Sequence, residues 1–193
     1  MNAWPWPAPV ADDAAAHLVR GTAIPAMALP TTSGRSIVLS EIAERTALFV
    51  YPWTGQPGAD NPPRWDDIPG AHGSTPGLIA VANLFTGFEG IGVRVLALSG
   101  QSTSWQRAFV ERNKLPFEVL SDESGALRDA LRLPTFETGG VRYLMRLTLV
   151  LNRGTIERAF YPVHPPDVHP RELLAWLSAT APYATEARLK PAR

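Results

Sequence analysis

The sequence predicts a single α/β domain: a three-layer sandwich with a mixed sheet and helices on both faces. Three observations carry this. A continuous apolar run of strand length stands at residues 47–52, and further strand-like segments at 92–99 and 117–122. Amphipathic helical segments separate them, and two further strand-like segments, 144–151 and 155–163, face each other across a tight turn. At 193 residues and 45% hydrophobic the chain can close a real core.

Taken in order, residues 1–13 carry Trp4, Pro5, Trp6, Pro7 and Pro9. So many prolines exclude a helix and predict an extended arm on the surface, with two indoles that need somewhere to pack. The run 22–30 reads as a short edge strand, because Pro25 cannot donate to a central ladder, and TTSGR after it is a turn. IVLSEIAER is expected to be a strand end and a short helix, with Ser40 as its N-cap. ALFVYP, 47–52, is a strand buried on both faces. A Pro-, Gly- and Asp-rich loop then runs from Trp53 to about Ser74, a length that usually has a functional reason. Ser74-Thr75-Pro76 fits a helix start, with Ser or Thr as cap and Pro76 in the first turn, and that helix should reach about Phe88.

The segment 92–99 is a second buried strand, followed by the amphipathic helix STSWQRAFVERN. FEVLSD, 117–122, is a third strand, and SGALRDALRL a short helix ended by Pro134. Strands 144–151 and 155–163 form a hairpin with Gly154 free to take positive φ. RELLAWLSATA is a last amphipathic helix. This order fits a thioredoxin-like sandwich. The expected organisation is an arm over 1–20, the domain over 21–180 and a polar tail over 181–193.

Charge and composition narrow the function. The 18 Lys+Arg balance 18 Asp+Glu, and the basic residues are scattered, so nucleic acid is an unfavoured partner. No apolar stretch is long enough to span a bilayer, and the N-terminus lacks a secretory pattern, so a cytoplasmic protein without a membrane partner is expected. There is no cysteine, which excludes disulfides, thiolate metal sites and cysteine nucleophiles in this chain.

Several motifs resemble the peroxiredoxins of the alkyl hydroperoxide reductase C and thiol-specific antioxidant (redoxin) family, near the bacterioferritin-comigratory branch. They are Tyr51-Pro52-Trp53-Thr54-Gly55, Ile68-Pro69-Gly70-Ala71-His72-Gly73, Ser74-Thr75-Pro76, Leu133-Pro134-Thr135-Phe136-Glu137 and Arg146-Leu147-Thr148-Leu149-Val150, and the resemblance spans about 21–177. It implies a peroxide-attacking cysteine at the first helical turn, where Ser74 stands, and an arginine on a late strand, Arg146, to steady its thiolate. It also implies a resolving cysteine where Ile79 stands, and a homodimer.

Sulfur's loss can be weighed physically. A helix N-terminus favours a nearby anion by about 0.3–1 kcal/mol, up to ~2 when partly buried. At ~1.36 kcal/mol per pKa unit that ionises a thiol near neutrality but not an aliphatic hydroxyl. A hydroxyl also has no sulfenic acid to form and recycle. The chain as written is therefore no thiol peroxidase.

What is left is a place where helix amides, the Ser74 hydroxyl and Arg146 could converge on an oxyanion. The bland alternatives are that Ser74 or Thr75 only caps the helix, and that Arg146 pairs with a carboxylate. His72 could serve there as an acid or base, oriented by Asp66 or Asp67, or could simply be solvated. Trp53, Trp65 and Trp105, with Tyr51 and Thr75, could wall an organic ligand, although tryptophans also suit oligomer contacts. His164, Asp167 and His169 have a loose metal-ligand spacing, too weak to assign a metal. The reading is a cofactor-free, non-redox enzyme on a small organic substrate, a biosynthetic one included, with Ser74, Arg146 and His72 catalytic. Its rivals are an inactive binding or regulatory protein, and a peroxidase carrying Ser in place of Cys at position 74.

Overall fold

A computed structural model describes residues 4–180, so the expected polar tail lies outside the described residues. The central sheet has five strands: β3 (Thr46–Val50), β4 (Arg94–Ser99), β5 (Glu118–Ser121), β8 (Leu147–Asn152) and β9 (Thr155–Phe160), in the order β5-β4-β3-β8-β9. β3, β4 and β5 run parallel, while β8 is antiparallel to both β3 and β9, so the sheet is mixed. Two small antiparallel hairpins flank it: β1 (Ala28–Pro30) with β2 (Ser36–Val38), and β6 (Thr135–Thr138) with β7 (Val141–Leu144). The helices are α1 (Ser74–Asn83), α2 (Phe85–Gly90), α3 (Thr103–Asn113), α4 (Ala126–Leu131) and α5 (His169–Ala179).

Successive side chains of a strand point to opposite faces, and β3 shows the consequence. Ala47 and Phe49, with Tyr51 just beyond, pack with Leu78 and Val81 of α1, Phe88 of α2, Phe109 of α3 and Leu173 of α5. Leu48 and Val50 pack on the other face with Leu127 and Leu131 of α4 and with Ala15, Leu18, Ile24 and Leu29. Helices therefore cover both faces, as a thioredoxin-like sandwich requires. Because Ala15 and Leu18 are core residues, the surface arm is shorter than 1–20.

Four local expectations change. Ser40 caps nothing: a single 3-10 turn, Leu39–Glu41, follows β2 from Val38. The helix expected over 74–88 breaks at Leu84 (φ −106°, ψ 4°), which turns Gly87 of α2 against Leu174 of α5, where a Cβ would come within 2.9 Å. The run 144–151 is interrupted: Met145 donates its amide to the Pro134 carbonyl at 2.8 Å, and Arg146 stands between β7 and β8 instead of inside a strand. Residues 135–138 form β6, whose turn into β7 uses Gly139 (φ 58°) and Gly140 (φ 73°). Gly154 has the expected positive φ of 74°.

Candidate functional site: a buried arginine at the first turn of α1

β3 delivers the chain to Tyr51, and the long loop returns through Gly70 and Gly73 to start α1. Gly73 takes φ 106° and supplies no side-chain cap. A Cβ there would lie 2.3 Å from Pro166 and 2.9 Å from Trp4, so glycine is required for both conformation and space. Ser74 follows as the first helical residue, only 4% exposed.

Across from it, the break between β7 and β8 turns Arg146 inward, 8% exposed. Its Nη2 donates to Ser74 Oγ at 3.0 Å and its Nη1 to the Gly70 carbonyl at 2.8 Å. Both bland readings fail here. The Ser74 oxygen accepts from a guanidinium instead of capping the helix. Among the described residues no carboxylate comes within ion-pair distance of Arg146. Burial lowers the Arg146 pKa to about 10, so it remains a cation at neutral pH. A charge withdrawn from water without a counter-charge is costly, and neutral partners offset only part of that cost.

The space beside it is small. A cavity of about 20 Å³ is bounded by Tyr51, Ser74, Arg146, Thr148, Pro166 and His169, room for about one water molecule. A second cavity that Arg146 also bounds, about 10 Å³, is lined by Pro9, Gly70, Phe136, Met145 and Val163. The Tyr51 hydroxyl is buried without a hydrogen-bond partner, and burial drives its pKa well above the ordinary phenol range. Burial lowers the His169 pKa to about 4, and its Nε2 shares a 3.0 Å hydrogen bond with Thr148 Oγ1. His164 is also held below its ordinary range, by burial first and then by the positive charge of Arg146.

Tyr51, Ser74 and Arg146 thus meet as the sequence suggested; the remaining candidates do not line this cavity. Thr75 is half-buried and does not bound the cavity. His72 points elsewhere: its Nε2 is 2.8 Å from Asp66 Oδ1, and its ring stacks on Trp6 with centroids 3.7 Å apart. Asp67 pairs instead with Arg64 at 3.5 Å. Trp53, Trp65 and Trp105 form an aromatic cluster of their own, with Trp53 at 5.5 Å from Trp65 and 5.9 Å from Trp105. Trp65 continues to Tyr143 at 5.1 Å and Phe136 at 5.5 Å. The indoles therefore hold the 53–73 loop and the β6–β7 hairpin together; they do not wall the arginine cavity. His169, one of the three loosely spaced ligand candidates, is turned into the core, and no metal-holding group of three His, Cys, Asp or Glu is present among the described residues.

Three features were not anticipated: Phe136 and Tyr143, which complete the aromatic cluster; the Gly70 carbonyl, which holds Arg146; and Gln101 and Gln106. Gln101 bonds the Thr54 amide, hydroxyl and carbonyl at 3.0, 3.1 and 3.0 Å. Gln106 reaches the Leu120 carbonyl at 2.9 Å. Buried glutamines, one just before α3 and one on it, announce themselves only once burial is known. Alternation in TFET and VRYL around Gly139-Gly140 was a readable hairpin signal.

Comparison with known proteins agrees with this architecture. Residues 71–161 match the AhpC/TSA family. Chloroplastic peroxiredoxin Q of Suaeda salsa is 28% identical over 166 residues, 85% of this chain and 70% of the relative, and that of Sedum lineare 27% identical over the same share of this chain and 80% of its own. Among solved structures, a cysteine-to-serine mutant of Xylella fastidiosa PrxQ superposes with TM-score 0.69 at 22% identity, covering 84% of this chain and 97% of that one. Peroxidoxin BcpB of Mycobacterium tuberculosis gives 0.67 at 20%, covering 83% and 97%. The chain is similar to peroxiredoxins in sequence and in fold. Unlike a thiol peroxidase it has no sulfur at the helix start, or in any cysteine, to attack a peroxide. In this peroxiredoxin-like chain the anion-favouring surroundings persist around an oxygen.

Proposed function

We propose that this protein binds the oxyanion of a small organic acid in the corner made by Ser74, Arg146 and the first turn of α1, without redox chemistry. One observation carries the reading: a buried guanidinium with a hydroxyl and a carbonyl as partners but no carboxylate near it. An arriving anion supplies the missing counter-charge. The start of α1 favours the same sign, because no side chain caps it.

The geometry favours binding over turnover. Among the described residues the Ser74 hydroxyl has a hydrogen-bond donor, Arg146, beside it and no base to take its proton. His72 is engaged with Asp66 and Trp6. The non-redox enzyme reading needs a base bonded to the Ser74 hydroxyl; His169 bounds the same cavity, but its Nε2 is engaged with Thr148 Oγ1, so the catalytically silent binding protein is the better fit.

The test is an NMR titration of the folded chain with formate, set against an Arg146→Met variant. Saturable shifts of amides in 70–77 that vanish in the variant support the proposal. Shifts absent from both chains, or equal in both, overturn it.

A further inference from the structure

The arm ahead of the domain lies on this corner. The Gly70 amide donates to the Pro7 carbonyl at 3.0 Å, and a Cβ on Gly70 would stand 3.3 Å from Pro9. Pro9 bounds the second cavity beside Arg146. Trp6 stacks on His72 with an interplanar angle of 11°, and Trp4 meets His164 edge-on at 6.1 Å while covering Gly73. The three residues that frame the helix start, Gly70, His72 and Gly73, are each covered by a different residue of the arm.

The attachment is slight. Residues 4–9 form no helix or strand, and apart from half-buried Trp4 and Pro9 they are exposed; Trp6 is 36% exposed despite its stack. Segments with few buried contacts and little backbone pairing open at low free energy. The next residues are anchored better. Tyr161 Oη donates to Asp12 Oδ2 at 3.3 Å, and Ala15 and Leu18 are in the core. Lifting 4–9 about that anchor would unite the space on the Pro9 side of Arg146 with solvent, without disturbing the domain.

We propose that residues 4–9 are a displaceable strap, an internal competitor. Strapped, the corner takes only an anion of formate size; unstrapped, it takes an organic carboxylate whose apolar tail replaces Pro9 between Phe136, Met145 and Val163. The ligand class follows from the lining: a guanidinium for the head, and phenyl, thioether and isopropyl groups for the tail. This rests on the oxyanion reading above and adds a size filter to it.

The experiment compares the full chain with one lacking residues 1–9, each titrated with formate by NMR and with phenylacetate by calorimetry, and with Arg146→Met in both. Equal formate binding and at least tenfold tighter phenylacetate binding by the shortened chain, lost in Arg146→Met, is the expected result. Because the shortened chain could fail to fold, a full-length Trp6→Ala, Pro9→Gly variant is measured beside it and should also bind phenylacetate more tightly. Equal phenylacetate affinity in all three chains, with formate binding intact, overturns the strap and leaves the oxyanion site standing. Loss of Arg146-dependent formate binding in every chain overturns the site itself and the strap with it.

Discussion

The arginine corner and the tryptophan cluster lie against the same loop, residues 53–73, yet they are built on opposite principles. Around Trp65 ring packs on ring: Trp53, Phe136, Tyr143 and, edge-on, His72. Nothing there is owed a partner, and Trp65 is 3% exposed. Around Arg146 the packing is also tight, but a whole positive charge is met only by neutral oxygens. The first region spends its aromatic surface on cohesion; the second keeps an electrostatic deficit that a ligand can remove. In the sequence the two looked like parts of one pocket.

Mutations can break or sharpen that contrast. Trp65→Ala should have the largest effect, about 3–5 kcal/mol of lost stability, because a buried indole leaves a cavity among rings that cannot collapse. Chemical denaturation measures it. Formate binding by the protein that remains folded should survive, and a loss of binding would show the two regions to be one.

Acid should weaken the corner in its own way. His169 ionises near pH 4 when folded, against 6.5 when unfolded, so between those values the unfolded chain binds the extra proton and stability falls as pH falls. The full loss is about 3 kcal/mol at ~1.36 kcal/mol per unit. His169→Gln should flatten the slope of stability against pH from 6.5 to 4, and an unchanged slope would assign the acid sensitivity to other groups.

Arg146→Met should cost about 1.5–3 kcal/mol of formate affinity, the range for hydrogen bonds to charged groups, while leaving folding stability nearly unchanged or raised, since an uncompensated cation leaves the interior. A large loss of stability on this substitution would mean that the charge is already satisfied. The smallest effect is expected from Ser74→Cys: the new thiol should titrate about one unit below its usual ~8.5, as followed by thiolate absorbance. A value at or above that would show that burial outweighs the guanidinium and the helix.

Much of the architecture was legible because it is written in contiguous residues. Thr46–Val50 and Leu147–Asn152 are apolar apart from buried Thr46 and Thr148 and exposed Asn152, and such short runs suit strands buried on both faces. The start of α1 was legible from Ser74-Thr75-Pro76, and of the two readings of Ser74, helix cap or partner of Arg146, the fold takes the second, through a residue 72 positions away. The run 144–151 concealed its interruption, since Met145 and Arg146 carry long side chains compatible with a strand, and only the bond from Met145 to Pro134 pulls them out of register. His72 was placed near Ser74 by adjacency alone, which says nothing about where the ring points.

The absence of cysteine was certain from the residues alone, and no fold can restore a thiolate to a chain that has none. The same holds for the apolar strands and the proline-broken arm, whose behaviour follows from local sterics and hydrophobicity. Whether Arg146 would find a carboxylate, where the indoles would gather, and what the arm would lie upon depended on which distant segments share a few ångströms of space. Burial and charge compensation are properties of that shared space, so they came into view only with the folded chain.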